Sequence, residues 1–300
     1  MIKQKMTRLL IGALILAFLL TSCGGSDSQT TIRIGSKEFT EQLVLGNIYE
    51  ILLNENGYRA DYKNLAGTIE AHEALVNGEI DLYPEYTGTA LLTQLAASYD
   101  PGMSGEQVYD TVKQRYEEQW DLIWLSPTSF NNTWCLTMTR EKAQELGVQN
   151  LSQLSTMADQ LTFGTTAEFH EREDGMLGLK KLYGGFNFKE IVTLDTGLKY
   201  AGLREGEIDV TTCFGTDGEI SAFDLIVLED DLGFWPPYPA APVVRAEVLE
   251  ANPDLADLLN QVSAHLDGET MSHLNWEVTG NQKEPDEVAR DFLVENGLID

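Results

Sequence analysis

Apolar positions along this chain switch repeatedly between two spacings, and the switches predict a series of short strands and helices. Thr31 to Ile34 is β-branched and reads as a strand, after which Thr40 can cap a helix running to about Glu55. Within it Val44, Ile48, Ile51 and Leu52 recur at helical spacing, and Asn56-Gly57 stops it. Arg59 to Lys63 predicts a second strand, leading through Gly67-Thr68 into a short helix that ends at Asn77-Gly78. Ile80 to Tyr83 is the next strand, followed by a turn at Pro84 and a helix from about Thr87. Helix, strand and strand signals follow at Gly105 to Gln119, Asp121 to Leu125 and Thr133 to Thr139.

The scheme then repeats, with strands near Leu161 to Gly164, Phe188 to Leu194 and Ile208 to Cys213 and helices near Asp174 to Tyr183 and Thr196 to Glu205. From Asn252 the tail is three helical pieces, with Pro253 and Pro285 at starts, Gly297 past the last, and Val288 and Phe292 on a buried face. Such alternation implies α/β lobes with largely parallel sheets. Two echoes support a pair of lobes. Gly78-Glu79-Ile80-Asp81 returns as Gly206-Glu207-Ile208-Asp209, and each copy reaches an aromatic five residues after its Asp, at Tyr86 and Phe214. Upstream, Ile34-Gly35-Ser36-Lys37-Glu38-Phe39 is matched loosely by Phe163-Gly164-Thr165-Thr166-Ala167-Glu168-Phe169 at nearly the same spacing. Two domains of similar topology would produce both echoes; so would chance likeness of two ordinary helix–strand junctions.

The first residues set the address. Lys3, Lys5 and Arg8 precede the apolar run Leu9 to Leu20, which is too short for the roughly 20 residues of a membrane span and ends in Leu20-Thr21-Ser22-Cys23. That ending resembles the lipobox of bacterial lipoproteins. Residues 1–22 are then a signal peptide, Cys23 is the lipidated N-terminus, and residues 23–30 are a flexible tether. The other reading is a soluble secreted protein. Outside the cytoplasm ATP and NAD are not at hand, so no cofactor is expected.

Removing the leader takes three basic residues and no acid, deepening the formal charge from −28 to −31. So acidic a surface argues against nucleic acid and reads as a highly solvated exterior that also draws cations toward a cleft. Enzyme signatures are missing: there is no Gly-x-Ser-x-Gly, His-Glu-x-x-His, Cys-x-x-Cys or Gly-Lys. His170-Glu171-Arg172-Glu173-Asp174 imitates a metal site, but an acid-rich first turn of a helix explains its carboxylates, and no metal is expected. Cys135 and Cys213 pair as a disulfide or remain two buried thiols.

Aromatics beside turn-forming residues carry more information. They are Tyr86 after Pro84, Trp134 after Asn131-Asn132, Phe214 before Gly215, and Tyr238 in Pro236-Pro237-Tyr238-Pro239. Taken singly each is an ordinary packed ring. Together with Gly35-Ser36-Lys37-Glu38-Phe39-Thr40-Glu41, with Gly78-Glu79-Ile80-Asp81-Leu82-Tyr83-Pro84-Glu85-Tyr86-Thr87-Gly88-Thr89 and with Arg172-Glu173-Asp174-Gly175, they resemble the substrate-binding proteins of osmoprotectant ABC importers. Those importers take up glycine betaine, choline and related quaternary amines. The resemblance spans about Thr31 to Ile299.

The resemblance implies a two-lobed α/β fold of the periplasmic-binding-protein type II, or Venus flytrap, kind. Residues 31–130 and 229–300 would form one lobe and residues 131–228 the other. It implies a box of rings at Tyr86, Trp134, Phe214 and Tyr238, carboxylate contacts at Lys37, Thr89 and Arg172, and a polar neighbour at Asn132. Trp134 and Phe214 stand where relatives often have Tyr, which changes the size and polarity of the pocket. The implied protein is a monomeric, lipid-anchored receptor on the extracytoplasmic face of a bacterial membrane, working with separate permease and ATPase chains. Lys37 also reads as a solvated lysine at a turn, and Arg172 as a partner of its neighbouring acids. Carnitine and ergothioneine are alternative cargoes. An extracytoplasmic hydrolase or transferase using Lys37, Arg172 and nearby acids, and a sensing or adhesive role, are the readings from other classes.

Overall fold

Each echo in the sequence marks the same corner of a sheet. The computed structural model describes residues 31–195 and 197–300, so the leader, the tether and Cys23 lie outside the described residues. Among the described residues ten strands form two five-stranded sheets. The first contains β1 (Ile32–Lys37), β2 (Ala60–Leu65), β3 (Leu82–Tyr86), β4 (Leu122–Trp124) and β10 (Ala240–Arg245). The second contains β5 (Trp134–Thr139), β6 (Thr162–Thr165), β7 (Glu190–Thr193), β8 (Val210–Phe214) and β9 (Leu225–Val227). Their orders, β2-β1-β3-β10-β4 and β7-β6-β8-β5-β9, are one arrangement used twice.

The corners explain why the echoed residues are what they are. Helix α2 (Thr68–Val76) is followed by Gly78 at φ +70°, and the helix Lys199–Glu205 by Gly206 at φ +74°, a left-handed conformation that suits glycine. Three residues on, Asp81 receives the Arg33 N–H on Oδ2 at 2.8 Å while its own N–H donates to the Arg33 carbonyl at 2.7 Å. Asp209 makes the same pair of bonds with Thr162, both at 2.9 Å. The intervening isoleucines fill the space over two glycines: a Cβ on Gly35 would lie 2.5 Å from Ile80 Cδ1, and one on Gly164 would lie 2.3 Å from Ile208 Cδ1. The likeness is therefore structural, not a chance likeness of junctions.

Strand direction departs from expectation. β1 runs parallel to β2 and β3, and β6 to β7 and β8, as βαβ crossovers require. β10 is antiparallel to β3 and β4, and β5 to β8 and β9, so both sheets are mixed. These two strands enter their sheets directly from the other sheet, with no helix to reverse them. The segments that carry the chain across lie side by side: Thr128 N–H donates to the Ala240 carbonyl at 2.8 Å and Asn132 N–H to the Tyr238 carbonyl at 3.1 Å.

Pro84 does not make a turn. It stands inside β3, opposite Pro242 of β10. Neither residue has an N–H, so neither asks the other for an acceptor, and their carbonyls are met elsewhere, by Gln42 Nε2 at 2.8 Å and Leu125 N at 3.0 Å.

The first helix, α1 (Thr40–Glu55), buries Val44, Leu45, Ile48, Tyr49, Leu52 and Leu53. α3 (Gly105–Trp120) is fixed by a capping box between Ser104 and Gln107. The tail is α7 (Leu255–Ala264), α8 (Gly268–Thr279) and α9 (Pro285–Glu295), with Val288 and Phe292 buried as their spacing predicts. Between them come α4 (Ala167–Glu171), α5 (Met176–Tyr183) and α6 (Lys199–Glu205). The acid-rich run is thus not a first turn. His170 and Glu171 end α4, and α5 starts only at Met176. Cys135 and Cys213 are register partners on β5 and β8 with Cα atoms 4.8 Å apart, and they form a disulfide rather than two thiols. Among the described residues no helix is long and apolar enough to cross a membrane.

Candidate functional site

The two sheets present the ends of equivalent strands to one cavity of about 190 Å³. Tyr86 closes β3 and Phe214 closes β8, the matching position of the other sheet. Trp134 opens β5 opposite Phe214, with ring centroids 4.4 Å apart. Phe39, in extended backbone just before α1, bridges the sheets, 6.2 Å from Tyr86 and 5.6 Å from Phe214. Four rings from both halves of the molecule thus wall one space, together with Lys37, Thr68, Thr89, Asn132, Glu168 and Arg172. Seven of the eight residues expected from sequence line it.

Tyr238 does not. Its ring lies flat on Gly88, where an added Cβ would come within 2.6 Å, and its hydroxyl donates to Asp174 Oδ2 at 3.0 Å. It supports the wall from behind by holding the acid that holds Arg172. Phe39 was not singled out as a ring, although it stands at a strand end before a helix, the same signal that selected Tyr86 and Phe214. Thr68 and Glu168 also escaped notice; Thr68 Oγ1 donates to Glu168 Oε1 at 3.2 Å, joining residues of the two halves across the cavity.

The cationic side chains at the site are already paired. Lys37 is not a solvated lysine: it is buried on β1, its Nζ lies 2.6 Å from Glu85 Oε1, and it stands 5.2 Å from the Tyr86 ring centroid. Glu85 also accepts from the Tyr83 hydroxyl and the Tyr86 N–H. Arg172 gives Nε and Nη2 to Asp174, both at 2.6 Å, and Nη1 to Glu168 at 2.8 Å, with its Cζ 5.8 Å from the Trp134 centroid. Burial alone would lower the guanidinium pKa, but the hydrogen bond and charge of Asp174 outweigh it and raise it above the ordinary value. Arg172 is a fixed cation with one edge, Nη1, shared with an exposed acid.

Behind Tyr86 and Asn132 lies Glu41, buried in α1. Its Oε1 accepts from Tyr86 Oη at 2.8 Å and Asn132 Nδ2 at 2.5 Å, and its Oε2 from Thr216 Oγ1 at 2.6 Å and Asn275 Nδ2 at 3.2 Å. Burial raises its pKa, an effect these hydrogen bonds oppose. Tyr86 is pushed well above the ordinary tyrosine range, by burial first and by the Glu41 charge second, and remains a phenol. Sequence reasoning placed Glu41 in a motif without giving it a role. Among the described residues no cluster of three or more His, Cys, Asp or Glu is arranged to hold a metal.

Residues 30–295 match the family model described as the substrate binding domain of ABC-type glycine betaine transport system. A glycine-betaine-binding protein of Pseudomonas aeruginosa is 37% identical over 301 residues, spanning 97% of this chain and 96% of that one. A Helicobacter pylori (strain G27) protein named ergothioneine transport permease/ergothioneine binding protein is 35% identical over 267 residues. That match takes in 88% of this chain but only 47% of the relative, so the chain spans about half of that protein's length. A crystal structure described as a glycine betaine/carnitine/choline ABC transporter is similar at a TM-score of 0.75 with 28% identity, over 90% of this chain and 100% of the other. The structure of apo YehZ from Escherichia coli is similar at 0.67 with 31% identity, over 90% and 99%.

Proposed function

The chain belongs to the family of substrate-binding domains of ABC-type glycine betaine transport systems, and from that premise we propose that it is an extracytoplasmic receptor that closes two lobes on a quaternary ammonium compound. Glycine betaine and choline are the leading cargoes. One observation supports the reading above the rest: Phe39, Tyr86, Trp134 and Phe214, drawn from both sheets, wall a single small cavity.

A trimethylammonium cannot donate an N–H hydrogen bond, and its charge is spread over methyl groups, so π-faces suit it. Each desolvated ring contact contributes roughly 0.5–2 kcal/mol, so four approach the scale of micromolar binding, about 8 kcal/mol, before ordering costs. Because Tyr86 and Phe214 belong to different sheets, closure and affinity become one event. A ligand carboxylate would take the Nη1 edge of Arg172 in place of exposed Glu168, with Thr89 beside it. Lys37, held by Glu85, serves through the Tyr86 wall rather than as a free cation.

The receptor is proposed to be a monomer anchored by lipid at Cys23, on the outer face of the bacterial membrane, and to hand its cargo to permease and ATPase subunits on other polypeptides. Titration calorimetry of a protein beginning after the tether, against glycine betaine, choline, carnitine and ergothioneine, tests the reading. Micromolar or tighter binding of one of them, weakened at least about tenfold by Trp134→Ala, is expected. Silence for all four would sink it.

A further inference from the structure

Four carboxylates in the described structure are buried: Glu41, Asp81, Glu85 and Asp174. Three have cationic partners, since Asp81 pairs with Arg33, Glu85 with Lys37 and Asp174 with Arg172. Glu41 has none among the described residues. All four of its partners are neutral, and they come from four separate parts of the chain: the end of β3, the first crossing segment, the turn after β8, and α8. The lysine on its far side, Lys199, shares with it a second cavity of about 170 Å³ but is bound to Asp217 at 3.1 Å.

The hydrogen bonding favours Glu41 as an anion, against the burial that disfavours it. Two of its four donors are amide Nδ2 groups, which cannot accept a proton from a carboxylic acid, and each carboxylate oxygen already receives two donors. An isolated buried anion is costly, and proteins rarely keep one without a counter-charge. The groups that contact it on one side are also the wall of the ligand cavity, because both Tyr86 and Asn132 line that space. A phenol donating to a carboxylate becomes more electron-rich, so the charge of Glu41 also reaches the face of the Tyr86 ring.

Resting on the quaternary-ammonium reading of the cavity, we infer that Glu41 is the counter-ion of the bound cation, a specificity-determining residue that acts through Tyr86 and Asn132 without touching the ligand. The three other buried acids are already neutralised by the protein, and the fourth is left for the ligand to neutralise. It makes the site select positive charge, not merely trimethyl shape.

The test compares choline with its uncharged carbon isostere, 3,3-dimethylbutan-1-ol, on wild type and Glu41→Gln. The expected result is a loss of choline affinity of at least about tenfold in the variant, with the isostere changed by less than about twofold. Equal losses for both ligands would reduce Glu41 to a positioning role and overturn the inference. Should Glu41→Gln fail to fold, the wild-type protein answers through the carboxyl ¹³C signal of Glu41. Choline is expected to move its titration midpoint to lower pH and the isostere to leave it in place; an equal midpoint with both overturns the inference. If wild type binds no quaternary amine at all, it is the functional reading that has failed, and the counter-ion falls with it.

Discussion

On the proposed reading, a ligand carboxylate would be met at one edge of Arg172. Asp174 holds the other edge, so Arg172→Met is expected to lower glycine betaine affinity about tenfold to a hundredfold while choline changes much less, as parallel titrations would show. Gly88 is the second sensitive residue. A methyl group there would meet the Tyr238 ring at 2.6 Å, and Gly88→Ala is expected to cost about 1–3 kcal/mol in a urea-unfolding measurement. Seven of the eight residues expected from sequence line the cavity, because the motifs that carry them are local. Tyr238 lies outside the cavity lining, with its ring packed on Gly88, a residue remote in sequence. The burial of Lys37 was equally hidden, because its partner Glu85 lies on a neighbouring strand. Phe39 was visible as a residue and missed as a ring, since helical periodicity drew attention to the apolar positions after it.

Among the elements, the matched corners make matched predictions. Ile80→Ala and Ile208→Ala each remove a side chain packed over a glycine of the adjacent strand, and each is expected to cost about 2–4 kcal/mol in chemical denaturation. The disulfide between β5 and β8 spans a sequence separation of 78 residues, and replacing both cysteines by serine is expected to lower stability by about 2–4 kcal/mol. Ligand affinity should change little, because successive side chains on a strand face opposite ways and the disulfide lies behind Trp134 and Phe214. Calorimetry on the double variant checks both halves of that statement. Most strands and helices were legible from β-branched runs and helical periodicity. β9 is only three residues long and β10 carries Pro242, so neither gave a strand signal. Direction was illegible for a different reason: whether a strand runs with or against its neighbours depends on which sheet the chain has just left, and local sequence does not record that.

At the scale of the whole molecule, the acidic surface would weigh unequally on the proposed cargoes. With a formal charge of −28, the field draws choline, a net cation, more than glycine betaine, a zwitterion. Raising ionic strength is therefore expected to weaken choline binding more than glycine betaine binding, and a salt series of titrations measures the difference. The two lobes were legible as an internal echo, while the bonds that join them, Glu41 to Thr216 and Thr68 to Glu168, were not, since each spans more than ninety residues of chain. The strand order also sets a timetable. As the chain is made from its N-terminus, β1, β2 and β3 exist long before β10, which must slot between β3 and β4 after the entire second sheet has been synthesised. Until then the flank of β3 is an open template for any passing strand. Pro84 interrupts that template by removing one N–H from it, and in the finished sheet it stands opposite Pro242, which also lacks one. The paired prolines thus leave the open flank of β3 one donor short until residues 240–245 arrive.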